Sequence, residues 1–192
     1  ETTPPKRGLQ RAIPVSDLVP DYGLNIWIYG QEGVGKTTLA STAQDSEYGR
    51  DVLFLDAEGG TRSISHRHDI RVIPIEEWAE LAEIYQELLE SSEYSYKTVV
   101  LDNMSEFNKL SIRRAYDLED SAKKDPDVPF LSMYQKSTNQ MLKAVRAYRD
   151  LSHKRGLNII FTSWEETSKD DLIGSIFTSV FLTPALQKQV GG

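Results

Sequence analysis

The chain has 192 residues, 39% hydrophobic and 27% charged, with no cysteine and a formal net charge of −7. That length supports one domain with its own core. The missing cysteines exclude disulfides and thiol catalysis, no apolar run reaches the roughly eighteen residues that cross a bilayer, and the acidic balance argues against a dedicated duplex-DNA binder with a basic stripe. The first residues, Glu1-Thr2-Thr3-Pro4-Pro5, have no signal-peptide pattern, so a cytoplasmic protein is the expectation.

Residues 1–23 carry four prolines and little periodicity. They read as an extended N-terminal arm, equally a disordered tail or a packing arm whose apolar piece, Leu9 to Val15, docks on a neighbouring subunit. Residues 24–192 then read as one core. Leu24–Tyr29 is a strand, Gly30–Thr37 a glycine-rich loop, and Lys36–Ala43 the first turns of a helix. Asp51–Asp56 is an apolar, buried strand, broken by Ala57-Glu58-Gly59-Gly60. Ile70–Ile75 is a strand near a sheet edge, because Pro74 cannot donate to a ladder. Glu76–Glu90 places Trp78, Leu81, Ala82, Ile84, Tyr85, Leu88 and Leu89 at helical spacing. Thr98–Asp102 is another buried strand, followed by a helix from about Met104 to Leu118. Residues 119–130 are polar and proline-bearing, and read as an exposed loop. Leu131–Leu151 is a long helix with a basic end (Lys143, Arg146, Arg149, His153, Lys154, Arg155), stopped by Gly156. Leu157–Ser163 is a core strand. Trp164–Thr183 is mixed, a loop or hairpin, and the end is too short to complete a further element. Strands alternating with helices imply an α/β fold of three layers, a mostly parallel sheet with helices on both faces.

Gly30-Gln31-Glu32-Gly33-Val34-Gly35-Lys36-Thr37 fits the phosphate-binding pattern G-x-x-x-x-G-K-[ST] at every fixed position. A polyphosphate needs several N–H donors converging on one point. A loop that wraps it takes backbone angles closed to residues with a Cβ, which the glycines allow. Lys36 can reach the β- and γ-phosphates as a point charge. The Thr37 hydroxyl can ligate Mg²⁺, and Thr38 can touch the α-phosphate.

Open α/β sheets bind ligands at the carboxyl ends of their strands. Asp102 closes one apolar strand and suits magnesium support through water. Position 103 is Asn, so an Asp-Glu pair is absent there. Asp56 and Glu58, after another strand, offer the missing group. Glu58 is the expected water-activating base, with Glu106, one helical turn after Asp102, as its rival. His66 and His68 flank Arg67, with too few further ligands for a metal site. Arg62, Arg67 and Arg71 suit a nucleic-acid contact better. Asn108-Lys109 is followed by Leu110-Ser111, which is not a guanine-reading pattern.

The segments GVGKTTLA, DAEGGTRS, KTVVLDNMSE and FTSWEE occur in the order of the RecA-type ATPase core. Over roughly residues 24–185 they resemble the phage-encoded nucleotide-binding proteins, shortened RecA-like ATPases linked to recombination and single-strand annealing. The resemblance implies ATP and Mg²⁺ as ligands and ATP hydrolysis, with Glu58 as catalytic glutamate beside Lys36, and Asp102 supporting Mg²⁺. It further implies single-stranded DNA and a homo-oligomer as partners, in an infected or prophage-bearing bacterial cytoplasm. Trp164 stands where RecA has a γ-phosphate-sensing glutamine, a departure that leaves Trp164 and Glu165 as the candidate sensors, with Glu165 taking over the coupling or the coupling differing. Residues near 117–130 and 166–180 fall where such proteins contact DNA, with only Lys123, Lys124 and Lys169 as cations. A cation supplied by a neighbouring subunit would come from Arg113, Arg114, Arg146, Arg149 or Lys154. Further strands after residue 185 are usual, so the core is expected to be cut short at its C-terminus or to be the short form. A phosphate-loop kinase for small molecules and a non-catalytic, nucleotide-gated interaction module are the alternatives.

Overall fold

Short apolar strands that bury both faces need helices above and below them, and the chain supplies both. The computed structural model describes residues 8, 12, 14, 23–118, 131–169 and 176–180. The strands are β1 (Asn25–Gly30), β2 (Val52–Asp56), β3 (Arg71–Pro74), β4 (Thr98–Asp102), β5 (Asn158–Lys169) and β6 (Ile176–Val180). The helices are α1 (Lys36–Ser41), α2 (Glu80–Glu90), α3 (Met104–Asp117) and α4 (Leu131–Arg155), with 3-10 turns at Thr42–Asp45 and Gly60–Ile64.

The sheet order is β1-β5-β4-β2-β3, all parallel, and β6 runs antiparallel to the far half of β5. β3 closes one edge, as Pro74 requires. The register sets Asp56 beside Asp102 and Gly30 beside Trp164. The carboxyl ends of β1, β2, β4 and the middle of β5 therefore meet on one side of the sheet.

Period-two alternation divides the core between the two faces. Leu53, Leu55, Val99, Leu101, Ile159 and Phe161 join Met104, Phe107, Met141 and Tyr148 under α2, α3 and α4. Val52, Phe54, Val100 and Ile160 pack with Ala40, Ile64 and Ile70 on the α1 face. Tyr148 is a fully buried member of the first cluster. Its hydroxyl donates to Leu81 O at 2.8 Å, which ties α4 to α2, and burial pushes the phenol pKa up.

The elements depart from expectation at their ends. The helix after the phosphate loop tightens into a 3-10 turn after Ser41. α2 begins at Glu80, because Glu80 Oε2 accepts the N–H groups of Glu76 and Glu77 at 2.9 and 2.7 Å and holds them as an entry turn. α4 runs on to Arg155, ahead of Gly156 at φ +67°. β5 does not stop at Ser163 but continues to Lys169, because β6 gives its outer half a ladder partner. The hairpin alternative for Trp164–Thr183 agrees with this antiparallel pair. Most of the expected arm, the 119–130 loop and the end after residue 180 lie outside the described residues. Among the described residues no helix is long and apolar enough to cross a membrane.

Gly23 admits the chain to β1. Its N–H donates to Ser152 O at 3.1 Å, and a Cβ there would fall 1.9 Å from Leu157 O. That contact is with backbone, so it does not relax cheaply. Gly23→Ala is expected to cost about 1–3 kcal/mol and to lower the thermal midpoint by several degrees. An unchanged melting curve would show that the crossing of β1 and the α4–β5 junction is looser than described.

Candidate phosphate-binding site

The loop between β1 and α1 bends through two left-handed positions, Gly33 at φ +75° and Gly35 at φ +92°. Residues with a Cβ are strained in that region. The turn opens on a cavity of about 380 Å³, whose loop-side wall is Glu32, Gly33, Gly35, Lys36, Thr37 and Thr38. Lys36 is nearly buried and its Nζ donates to Gly30 O at 3.0 Å and Gln31 O at 2.7 Å. An ammonium has three donors. Two shape the loop and one remains for a phosphate oxygen. Gln31 thus contributes its backbone oxygen, while the Val34 side chain stands exposed.

The opposite wall comes from β2, β4 and β5 through Glu58, Asp102 and Trp164. Asp102 is 2% exposed. Thr37 Oγ1 donates to its Oδ2 at 2.7 Å, and Thr162 Oγ1 donates to its Oδ1. Burial pushes the Asp102 pKa up. The Thr162 and Thr37 hydroxyls pull it back, neighbouring Asp56 adds to the rise, and Lys36 opposes it. The Thr37 hydroxyl beside the Asp102 carboxylate is an all-oxygen donor pair, the chemistry a hard cation such as Mg²⁺ takes. Gly60 lies against this pair: a Cβ there would meet Asp102 Oδ2 and Thr37 Oγ1, each at 3.2 Å.

Asp56 does not face the cavity as a second acid. Its Oδ1 accepts the N–H groups of Glu58, Gly59 and Gly60 at 3.0, 2.7 and 3.3 Å. Its Oδ2 accepts the Thr61 N–H at 3.1 Å and the Thr61 hydroxyl. The carboxylate is consumed in winding residues 57–61, and that turn carries Glu58 to the cavity. An aspartate three residues ahead of a Gly-Gly-Thr run is a turn-forming signal in the sequence, though it does not say which N–H groups the carboxylate takes.

Glu58 lines the cavity, and Asn103 Nδ2 donates to its Oε2. Burial is the main cause that raises its pKa. Asp102, Glu106 and Glu32 add to the rise, and Lys36 opposes it. The rival Glu106 is engaged elsewhere: its carboxylate pairs with Lys109 Nζ at 2.5 Å, and it is not on the cavity wall. Trp164 reaches the wall, with its N–H donating to Ser105 Oγ at 3.1 Å and Lys109 Nζ 4.7 Å from its ring centroid. Glu165 does not line the cavity; it pairs with Val180 in the β5–β6 ladder.

None of the described arginines lines the cavity. Arg67 bonds Asp45 and Asp69, at 2.8 and 3.1 Å, bracing its turn against the 3-10 turn that follows α1. Its guanidinium holds the Asp69 carboxyl below the usual range. Arg67, one of the three arginines expected to suit a nucleic-acid contact, is thus held in an intramolecular ion-pair network. Arg113 and Arg114 share a groove with Glu76, Glu77 and Asp117. Arg149 pairs with Asp150 at 2.6 Å, Lys154 donates to the Tyr85 hydroxyl at 3.3 Å, and Arg146 lines a groove beside β1. Among the described residues that line the phosphate cavity, Lys36 is the one cation, against Glu32, Glu58 and Asp102. Lys123 and Lys124 lie outside the described residues, as does the Lys169 side chain. His66 and His68 belong to no metal-ligand cluster among the described residues. Asn108 and Lys109 lie inside α3.

The model of the AAA domain family matches residues 22–192. No curated protein matches the chain.

The bonds to Asp56 give a direct test of the turn. Asp56→Ala is expected to cost about 2–3 kcal/mol, the scale for hydrogen bonds to a charged group, and to speed amide exchange at Glu58–Thr61. Exchange at the native rate there would mean that something other than Asp56 winds the turn.

Proposed function

The chain belongs to the AAA domain family, and on that premise we propose that it is a Mg²⁺-dependent, RecA-like ATPase acting on single-stranded DNA in recombination or annealing, as an oligomer. The observation that carries the reading is the convergence of Lys36, Thr37, Glu58 and Asp102 on one cavity. In this reading the loop N–H groups and Lys36 grip the β- and γ-phosphates, and Thr38 meets the α-phosphate. Thr37 and Asp102 would hold Mg²⁺ through their side-chain oxygens. The ion, when bound, offsets phosphate charge.

Glu58 takes a proton from water as the water oxygen bonds to the γ-phosphorus. The bond from that phosphorus to the β–γ bridging oxygen breaks, and ADP and phosphate leave. The upward direction of the Glu58 pKa, from desolvation and the neighbouring carboxylates, makes it a stronger base than a free glutamate.

Two features support the wider reading. Trp164 sits on the cavity wall, and its strand runs on into the antiparallel β5–β6 pair, within the stretch that the RecA resemblance assigns to DNA. This favours Trp164, rather than Glu165, as the residue that couples the two sites. The cavity wall holds one cation against three carboxylates. Charge developing on the γ-phosphate then calls for a cation from a neighbouring subunit. Arg113, Arg114 and Arg146 supply it more readily than Arg149 or Lys154, which are engaged within their own chain.

Lys36→Ala is expected to abolish Mg·ATP binding measured by calorimetry. Glu58→Gln should keep the affinity and lower turnover by roughly 10²–10⁴, the range for a general base. Wild-type affinity in the first, or wild-type turnover in the second, would refute the corresponding role. ATP turnover should rise with added single-stranded DNA and with protein concentration; a rate flat across both would remove the DNA and oligomer parts of the proposal.

A further inference from the structure

Asn103 uses both ends of its amide. It caps α3 from an extended backbone, φ −123° and ψ 160°, and its Oδ1 accepts the Glu106 N–H at 2.9 Å. Its Nδ2 donates to Glu58 Oε2. It is 1% exposed and lies on the cavity wall. Donor and acceptor are fixed relative to each other on one planar group. The side chain is therefore a rigid strut between the first turn of α3 and the carboxylate carried by the 57–61 turn.

We propose that Asn103 is the positioning residue for Glu58: its amide holds Oε2 and so presents Oε1 to the water that attacks the γ-phosphate. The inference rests on the reading of Glu58 as the base and adds the group that aims it. The need for such a group follows from the surroundings. Glutamate is long and flexible, and Asp102, Glu106 and Glu32 all act on Glu58 as like charges. Glu58 stands at the solvent-facing side of the cavity, and repulsion by itself would leave its carboxylate with no fixed direction. A lysine or arginine at this place would hold it but would also weaken it as a base. A neutral amide holds it and leaves its charge available. The same first turn of α3 also holds the Trp164 backbone through Ser105 Oγ at 3.1 Å. A shift of that turn therefore moves Glu58 and Trp164 together.

Asn103→Ser separates the two duties, since serine still caps a helix but is too short to reach Glu58. The full chain carrying Asn103→Ser, Glu58→Gln, or both is assayed for kcat, KM and Mg·ATP affinity, with saturating single-stranded DNA. Asn103→Ser should lower kcat by about tenfold to a hundredfold, the worth of a hydrogen bond to a charged group, with affinity within about twofold. Added to Glu58→Gln, it should lower the rate no further. If Asn103→Ser folds poorly, Asn103→Asp carries the test, because it keeps the cap and sets an anion against Glu58; its kcat should fall more. Wild-type kcat in Asn103→Ser, a faster rate, or an equal loss in both backgrounds overturns the inference alone. Wild-type turnover in Glu58→Gln overturns the base assignment and the inference with it.

Discussion

A carboxylate kept out of water must be bonded on every side, and Asp102 is bonded from two directions. Thr37 donates from the helix after the phosphate loop, and Thr162 donates from β5. Both threonines belong to elements that are far apart in the chain and adjacent in the fold. Their bonds to one side chain fix the phosphate loop to the sheet. Without them a buried aspartate would cost several kcal/mol, the usual penalty for an unpaired internal charge. The position of β5 matters here. It lies between β1 and β4, so its Thr162 and Trp164 stand between the loop and the acidic strand end.

The second acid depends on a turn rather than on a strand. Asp56 ends β2 and is spent on the backbone N–H groups of residues 58–61. Glycine at 59 takes φ +80°, and glycine at 60 lets the turn lie against Asp102 and Thr37. The result brings Glu58 in from a different strand than the one that supplies Asp102. The two carboxylates come close without sharing an element, and each is pushed toward its neutral form by burial. Asn103, next to Asp102 in the chain, meets Glu58 as a neutral donor.

The rest of the core makes these contacts rigid. The inner strands β2 and β4 are buried along their whole length, and two sets of apolar side chains clamp them from opposite faces. α3 is held to α4 partly through polar contacts, with Ser111 Oγ donating to Gln140 Oε1 at 2.9 Å. Movement of α3 is thus resisted at its middle while its first turn sits at the cavity.

Much of this was open to reading in the chain itself. The phosphate loop, Asp102 and Glu58 are local patterns: glycines at forced turns, apolar runs that end in acid, a break that frees a side chain. The order of strands and helices follows from period-two and helical spacing. What local patterns could not decide is which strands lie side by side, because that depends on contacts far apart in sequence. Only the folded sheet assigned Arg67 to Asp45, Asn103 to Glu58, and the outer half of β5 to β6. Residue types determined what chemistry the chain could carry. Tertiary packing decided which of those groups met, since a hydrogen bond depends on separation in space and not on distance along the backbone.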